Sequence, residues 1–400
     1  MTLRERFNRI VRFQAVDRLP LIEIRDLNWV RDHRWRYQGM PADCNPFEYF
    51  GLDEATDDRA TQWLDVGRGL EYVDIDLYAL PRFETAPIRE DGDYYYDLDI
   101  RTGVILRRMW SRTSDGLDVK VPGIPPVKNR EDWLEYKKRY DPYTPERYPH
   151  IKQYGHELTV YPLDYPETWE EAARDTHTAD HMVTMHLYTG YNFISNAIGA
   201  ERLLLAVIDE AEWIHEMMDH FGWFTREASR KAFETARLDF VQLDDDTPPR
   251  TVQGELLVSP KMFLGYVGEG YRETLSLLAA NGIELVQPHL TRHRAFDEQI
   301  VQMVVDAGLT PMLLADAVGE FSVAERRKQY GGRYPIRGGM DGSMLIEGER
   351  AIDEMVDRVF TDAVGGGYFP TMMDRYGTFL EVPLKNYEYY VRAFRKANGM

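Results

Sequence analysis

The chain has 400 residues, 44% of them hydrophobic, and a formal net charge of −19. That length and apolar content can bury one large α/β barrel or two domains, and the acidity argues against a nucleic-acid or anionic-membrane surface, which needs clustered Lys and Arg. Cys44 is the single cysteine, which excludes an internal disulfide and every multi-thiolate metal site, so any metal must rest on His, Asp and Glu.

The opening "MTLRERFNRIVRF" reads as an amphipathic, charged helix without the apolar centre of a signal peptide. No apolar run approaches the ~20 residues that span a bilayer, so the expectation is a cytoplasmic protein. "RLPLIEI" reads as a first strand and "EYVDIDLYALP" as a further one. "EDGDYYYDLDIRTGVILRRMW" alternates and turns at Arg101-Thr102-Gly103, which predicts an antiparallel hairpin with exposed edges. A Pro-rich and then helical stretch follows. The segment at about 90–165 is therefore read as an insertion, a lid or a subunit contact, within one domain spanning 1–400.

From about residue 180, short β-like runs alternate with helical patterns, the signature of βα units and a parallel sheet. "HMVTMHLYTG" precedes a long helical region through "LLLAVIDEAEWIHEMMDHFGWFTREASRKAFETA". "LDFVQLDDD" ends in a loop. A helix then starts at Ser259-Pro260 and closes at Gly282. "IELVQPH", "LTPMLLAD", "RYPIRGGMD" and "GGGYFPTMMD" complete a set of eight strands. The fold class is thus α/β, a (β/α)8 TIM-type barrel with N-terminal helical and hairpin additions.

In such a barrel the catalytic groups follow the carboxyl ends of the strands. Those positions hold His186, Asp244, Asp245, Asp246, His289, Asp316, Arg337, Asp341 and Asp374, with Tyr188 close to the first. His289, Asp245, Asp246 and Asp374 are the catalytic candidates, because imidazole and crowded carboxylates suit proton transfer. His186, Tyr188, Asp244, Asp316, Arg337 and Asp341 are the substrate-binding candidates. Arg337 stands beside Gly338-Gly339, where the glycines would let backbone approach a ligand, and an Arg337–Asp341 ion pair is the competing reading. For each carboxylate the competing role is a helix or turn cap.

The order of these motifs resembles the uroporphyrinogen decarboxylase superfamily, which includes corrinoid-dependent methyltransferases. The resemblance is carried by "RRKQYGGRYPIRGGMDGSMLIEG", "GGGYFPTMMDRYGTFLEVPLKNYEYYVRAF", "DDDTPPRTVQGELLVSPKMF" and the N-terminal "VDRLPLIEI", "RWRYQGMPADCNPFEYFGLD" and "PVKNREDWLEYKKRYDPYTPERYP". It implies a barrel enzyme, commonly a homodimer, with its pocket at the strands' carboxyl ends. The heme-pathway decarboxylases carry Arg-Gln-Ala-Gly-Arg-Tyr after the first strand. Here Arg25, Asp26, Arg31 and Arg34 occupy that region without the motif, as substitutes for it or as a solvated helix face. The methyltransferase branch places His-x-Cys at a late strand end and binds zinc there. His289 takes the histidine's place, Thr291 stands where the cysteine would be, and no later cysteine follows.

The thiolate zinc site is accordingly absent, and the site is read without a metal. Zinc on His289, His293 and Asp374 is the alternative, with His293 as a residue of the following helix's first turn the preferred reading. Three functions follow. The first is methyl transfer or demethylation of a small molecule with a corrinoid partner protein. The second is cofactor-free decarboxylation (lyase chemistry) of a tetrapyrrole or other polycarboxylate, and the third a catalytically inactive binding or assembly protein.

Overall fold

The computed structural model describes residues 1–23, 27–53, 70–73, 75–84, 89–91, 94–109, 119–148, 168–188, 190–243, 257–288, 293–372 and 381–400. In chain order they form α1 (Leu3–Val11), α2 (Leu27–His33), α3 (Pro46–Phe50), β1 (Leu70–Tyr72), β2 (Arg89–Asp91), β3 (Tyr94–Leu98), β4 (Ile105–Met109), β5 (Val119–Ile124), α4 (Arg130–Tyr136) and α5 (Trp169–Asp175). The βα alternation follows: β6 (Met182–Leu187), α6 (Tyr191–Ile198), α7 (Ala200–Asp209), α8 (Ala211–Thr235), β7 (Phe240–Leu243), α9 (Pro260–Ala280), β8 (Leu285–Pro288) and α10 (Arg294–Asp306). It ends with β9 (Thr310–Pro311), β10 (Leu313–Ala315), α11 (Val323–Tyr330), β11 (Ile336–Met340), α12 (Ser343–Glu347), α13 (Glu349–Ala363), β12 (Tyr368–Met372) and α14 (Leu384–Ala397).

Two parallel sheets carry the architecture, in the orders β1-β6-β7-β8-β9 and β10-β11-β12. They meet in a single extended segment. Met312 N donates to Val286 O at 2.7 Å on one side, and Leu313 N donates to Pro335 O at 2.8 Å on the other. The fold is therefore mixed α/β with parallel strands, compatible with a barrel. No ladder among the described residues joins β12 to β1.

Alternation along the strands sorts side chains between two environments. Val183, Met185 and Leu187 of β6 and Val241 and Leu243 of β7 face a core shared with α6 to α10. Ile336 and Met340 of β11 and Tyr368 and Met372 of β12 face a second core with α2, α3 and α12 to α14. The opposite faces begin with Met182, Phe240, Leu285, Met312 and Phe369, and these converge with Ile22 on Leu3, Phe7 and Ile10 of α1. Phe7 meets the Phe240 ring at 5.4 Å and the Phe369 ring edge-on at 5.2 Å. Strand starts from both sheets thus rest on one helix, whose first turn is fixed by a reciprocal Thr2–Glu5 capping box.

The predicted helix start at Ser259-Pro260 is present: Ser259 Oγ accepts from Met262 N at 3.1 Å, and Gly282 follows the helix with φ +75°. The hairpin also forms, as β3 and β4 pair antiparallel, with β2 and β5 on either side in a four-stranded sheet. Its turn needs Gly103. The residue has φ +77°, and an added Cβ would lie 2.6 Å from the Phe83 ring. Arg147 ties the neighbouring chain together from a fully buried position, donating to Asp76 O, Tyr78 O, Arg139 O and Asp141 O.

Two expectations change. "RLPLIEI" enters no ladder among the described residues, because Leu21 N donates to Asp53 Oδ2 and Leu21 O accepts from Asp53 N, each at 2.8 Å. "EYVDIDLYALP" contributes only the end of β1, since the amides of Asp76, Ala79 and Leu80 donate to Arg147, Arg101 and Arg139 carbonyls instead. The long helical region predicted after β6 is present as three helices, with breaks at Gly199 and Glu210.

Candidate functional site at the strand ends

Above the apolar floor the inward strand positions turn polar. Thr184, Gln242, Gln287, Arg337 and Thr371 are all buried, and they come from β6, β7, β8, β11 and β12. Gln287 Nε2 donates to Gln242 Oε1 at 2.8 Å, and Arg337 Nη1 donates to Gln287 Oε1 at 3.0 Å. Arg337 thus crosses from one sheet to the other, with its guanidinium carbon 5.8 Å from the centre of the Phe240 ring. Thr184 is engaged locally, its hydroxyl donating to Phe240 O at 2.9 Å. The buried Arg337 guanidinium, hydrogen-bonded to Gln287 and beside the Phe240 ring, is a positive charge in a low-dielectric setting, where hydrogen bonds are strong.

The sequence candidates divide. Arg337 lies in this polar layer, but as the second residue of β11 and not after its carboxyl end as expected, because the strand starts at Ile336 and runs to Met340. His186 occupies the next inward position of β6 and is half-buried, its ring 6.3 Å from that of Tyr188. Tyr188 itself leans on the outer core, edge-on to Phe193 at 6.0 Å. Asp341 caps the turn into α12, with Oδ1 accepting from Ser343 N at 2.9 Å. Asp316 follows β10, where its N–H donates to Phe321 O at 2.9 Å in a bridge to Ser322. His289, Asp244, Asp245, Asp246 and Asp374 lie outside the described residues.

One reading is corrected, and one is placed more closely. At Gly339 (φ +78°) a Cβ would sit 2.5 Å from Tyr368 Oη and 2.8 Å from Val323, so that glycine makes room for protein packing and not for a ligand. His293 stands at the N-cap of α10, one position before the first turn, with its carbonyl accepting from Phe296 and Asp297. Cys44 lies in the turn before α3, where burial raises its thiol pKa and Arg31 donates to its carbonyl at 2.6 Å. It packs beside the α14 core, so the residues present do not fit a thiolate zinc site. No group of three or more His, Cys, Asp or Glu among the described residues could hold a metal ion.

The sequence reading missed Gln242, Gln287, Thr184 and Thr371. One signal was present: "FVQL" and "LVQP" put glutamine at matching places of successive strands, and the two residues are register partners. Shifted titrations among the described residues accompany burial at several places, among them Tyr330 and Tyr368 and the packing around α8. Burial pushes Tyr140 up to about 12 and the His220 imidazole down to about 4.

The chain matches no protein-family model and no curated protein sequence. Among solved structures it is similar to a methyltransferase from Methanosarcina mazei, at 12% identity and a TM-score of 0.49, over 100% of this chain and 98% of that one. A sialic acid synthetase from Leptospira borgpetersenii serovar Hardjo-bovis, in complex with citrate, shares 12% identity and a TM-score of 0.23 over 57% of this chain and 78% of that one.

Proposed function

We propose that the chain is an enzyme that transfers a methyl group to or from a small molecule bound at the carboxyl ends of its parallel strands, with a corrinoid-carrying protein as the other party. This reading takes the two parallel sheets as one closed (β/α)8 barrel. The observation that carries it is the buried Gln242–Gln287–Arg337 row, which spans both sheets above an apolar floor. Few, convergent polar groups in an otherwise apolar interior are what orient a small ligand, and barrel active sites lie on that side of the strands. The reaction class comes from the motif order, which resembles a superfamily containing corrinoid methyltransferases.

Within that reading Arg337 and Gln287 hold the polar part of the molecule. The corrinoid supplies the cobalt that exchanges the methyl group, and no step runs through zinc. Arg337 also favours a second reading, decarboxylation of a polycarboxylate, because a guanidinium fork grips a carboxylate in two places. The test mixes the full chain with reduced cobalamin and, in separate reactions, a set of methylated small molecules and a set of polycarboxylates, and follows the cobalamin spectrum and released carbon dioxide. Spectral change that depends on the protein, and that slows by roughly a hundredfold in Arg337→Met, is the expected result. Carbon dioxide release without spectral change would favour decarboxylation. Neither signal, with small molecules still bound, would leave the binding or assembly protein.

A further inference from the structure

The outer side of the α8–α9 layer holds an open cleft of about 540 Å³ that the proposed reaction leaves unused. Arg226, Arg230 and Arg272 line it together with Glu227, Glu269 and Glu273, so this face is charge-balanced on a chain with a net charge of −19. Two acidic copies can approach there without the repulsion that their net charge imposes elsewhere. Two pairs close within the chain: Arg226 Nη2 lies 2.6 Å from Glu273 Oε2, and Arg230 Nε donates to Glu227 Oε2 at 2.8 Å. Glu269 and Arg272 are exposed, one turn apart on α9, and form no ion pair among the described residues.

We propose that two copies of this chain dimerise along the outer face of α9. Exposed positions continue the line of Glu269 and Arg272 as Met262, Gly265, Ser276 and Ala279, at steps of three and four residues that keep them on one side of the helix. This stripe is self-complementary. Laid antiparallel across a two-fold axis between Glu269 and Arg272, it sets each glutamate against the copy's arginine, Gly265 against Ser276 and Met262 against Ala279. A two-fold contact makes every such pair twice. Gly265 has helical backbone geometry, and a Cβ there would meet nothing within 4 Å, so neither conformation nor packing inside the chain calls for glycine. A second backbone passing close to α9 does. A strongly acidic or strongly basic partner would find half of the charges on this face wrong. The contact lies on the outer helices and does not depend on the proposed reaction.

Sedimentation of the full chain over a wide concentration range reads the dimer directly. Arg272→Glu and Glu269→Arg each set like charges across the axis, and each is expected to weaken self-association by roughly tenfold or more while retaining the wild-type circular dichroism. Mixed one to one, the two variants regain opposite charges at both positions, so a heterodimer of wild-type affinity is expected. The double variant Glu269→Arg/Arg272→Glu should dimerise on its own for the same reason. Gly265→Leu has open space in the single chain and should weaken the dimer by a similar factor, because it holds the two helices apart. A chain that stays monomeric at every concentration, dimerisation unchanged in any of the three single variants, or a mixture or double variant that stays monomeric would each overturn the proposal. So would loss of the dimer in Ile208→Glu, on the exposed side of α7, with the α9 variants unaffected.

Discussion

His220 shows what burial does to a single titratable group. Its ring lies edge-on to Trp133 at 5.5 Å and near Trp223 at 5.7 Å, and burial, with Lys137 adding to it and Glu216 opposing, holds its pKa at about 4. Between that value and the ordinary 6.5 the unfolded chain binds a proton that the folded chain does not. The contribution is therefore full above 6.5 and is lost as pH falls toward 4, by about 2 kcal/mol after allowance for partial exposure. Urea midpoints measured across this range should fall less steeply in His220→Phe, and identical slopes would assign the acid sensitivity to other groups. Arg337, by contrast, was legible in the sequence because a charge inside an apolar run stands out, although it sits second in β11 and not after the strand's carboxyl end. Gln242 and Gln287 were not, since amides do not titrate and no local rule tells an inward strand position from an outward one before the helices are placed.

At the scale of elements, α1 holds the floor. Phe7 is fully buried against residues of β6, β7, β8 and β12, so Phe7→Ala should destabilise the protein by about 3–5 kcal/mol. Guanidinium unfolding measures this, and a loss below about 1 kcal/mol would show that the strand starts close without the ring. The later strands could be read from the sequence as apolar runs that stop at an ionisable residue, and the hairpin from its alternation and Gly103. What failed was non-local. Nothing near Leu21 announces that Asp53 will occupy both of its backbone groups, and nothing near Asp76 announces Arg147.

For the molecule as a whole, the two outer cores lie on either side of Met312, one against β6 to β8 and the other against β10 to β12. They are joined by the single segment Thr310–Ala315 and by α10, whose Val301 packs in the second core while its Phe296 packs in the first. Native-state hydrogen exchange should therefore resolve two opening free energies, one for β6 to β8 and one for β10 to β12. A common value for both would show one cooperative unit. Among the described residues no helix is long and apolar enough to cross a membrane. The seat of α1 bears also on how the protein is made. Phe7 leaves the ribosome long before its partner Phe369, which follows it by more than three hundred residues. Until β12 is translated the socket lacks a wall, so the nascent chain must carry the apolar face of α1 and several strand starts uncovered, the condition in which holding chaperones bind. A strand translated late relative to α1 thus completes that helix's seat.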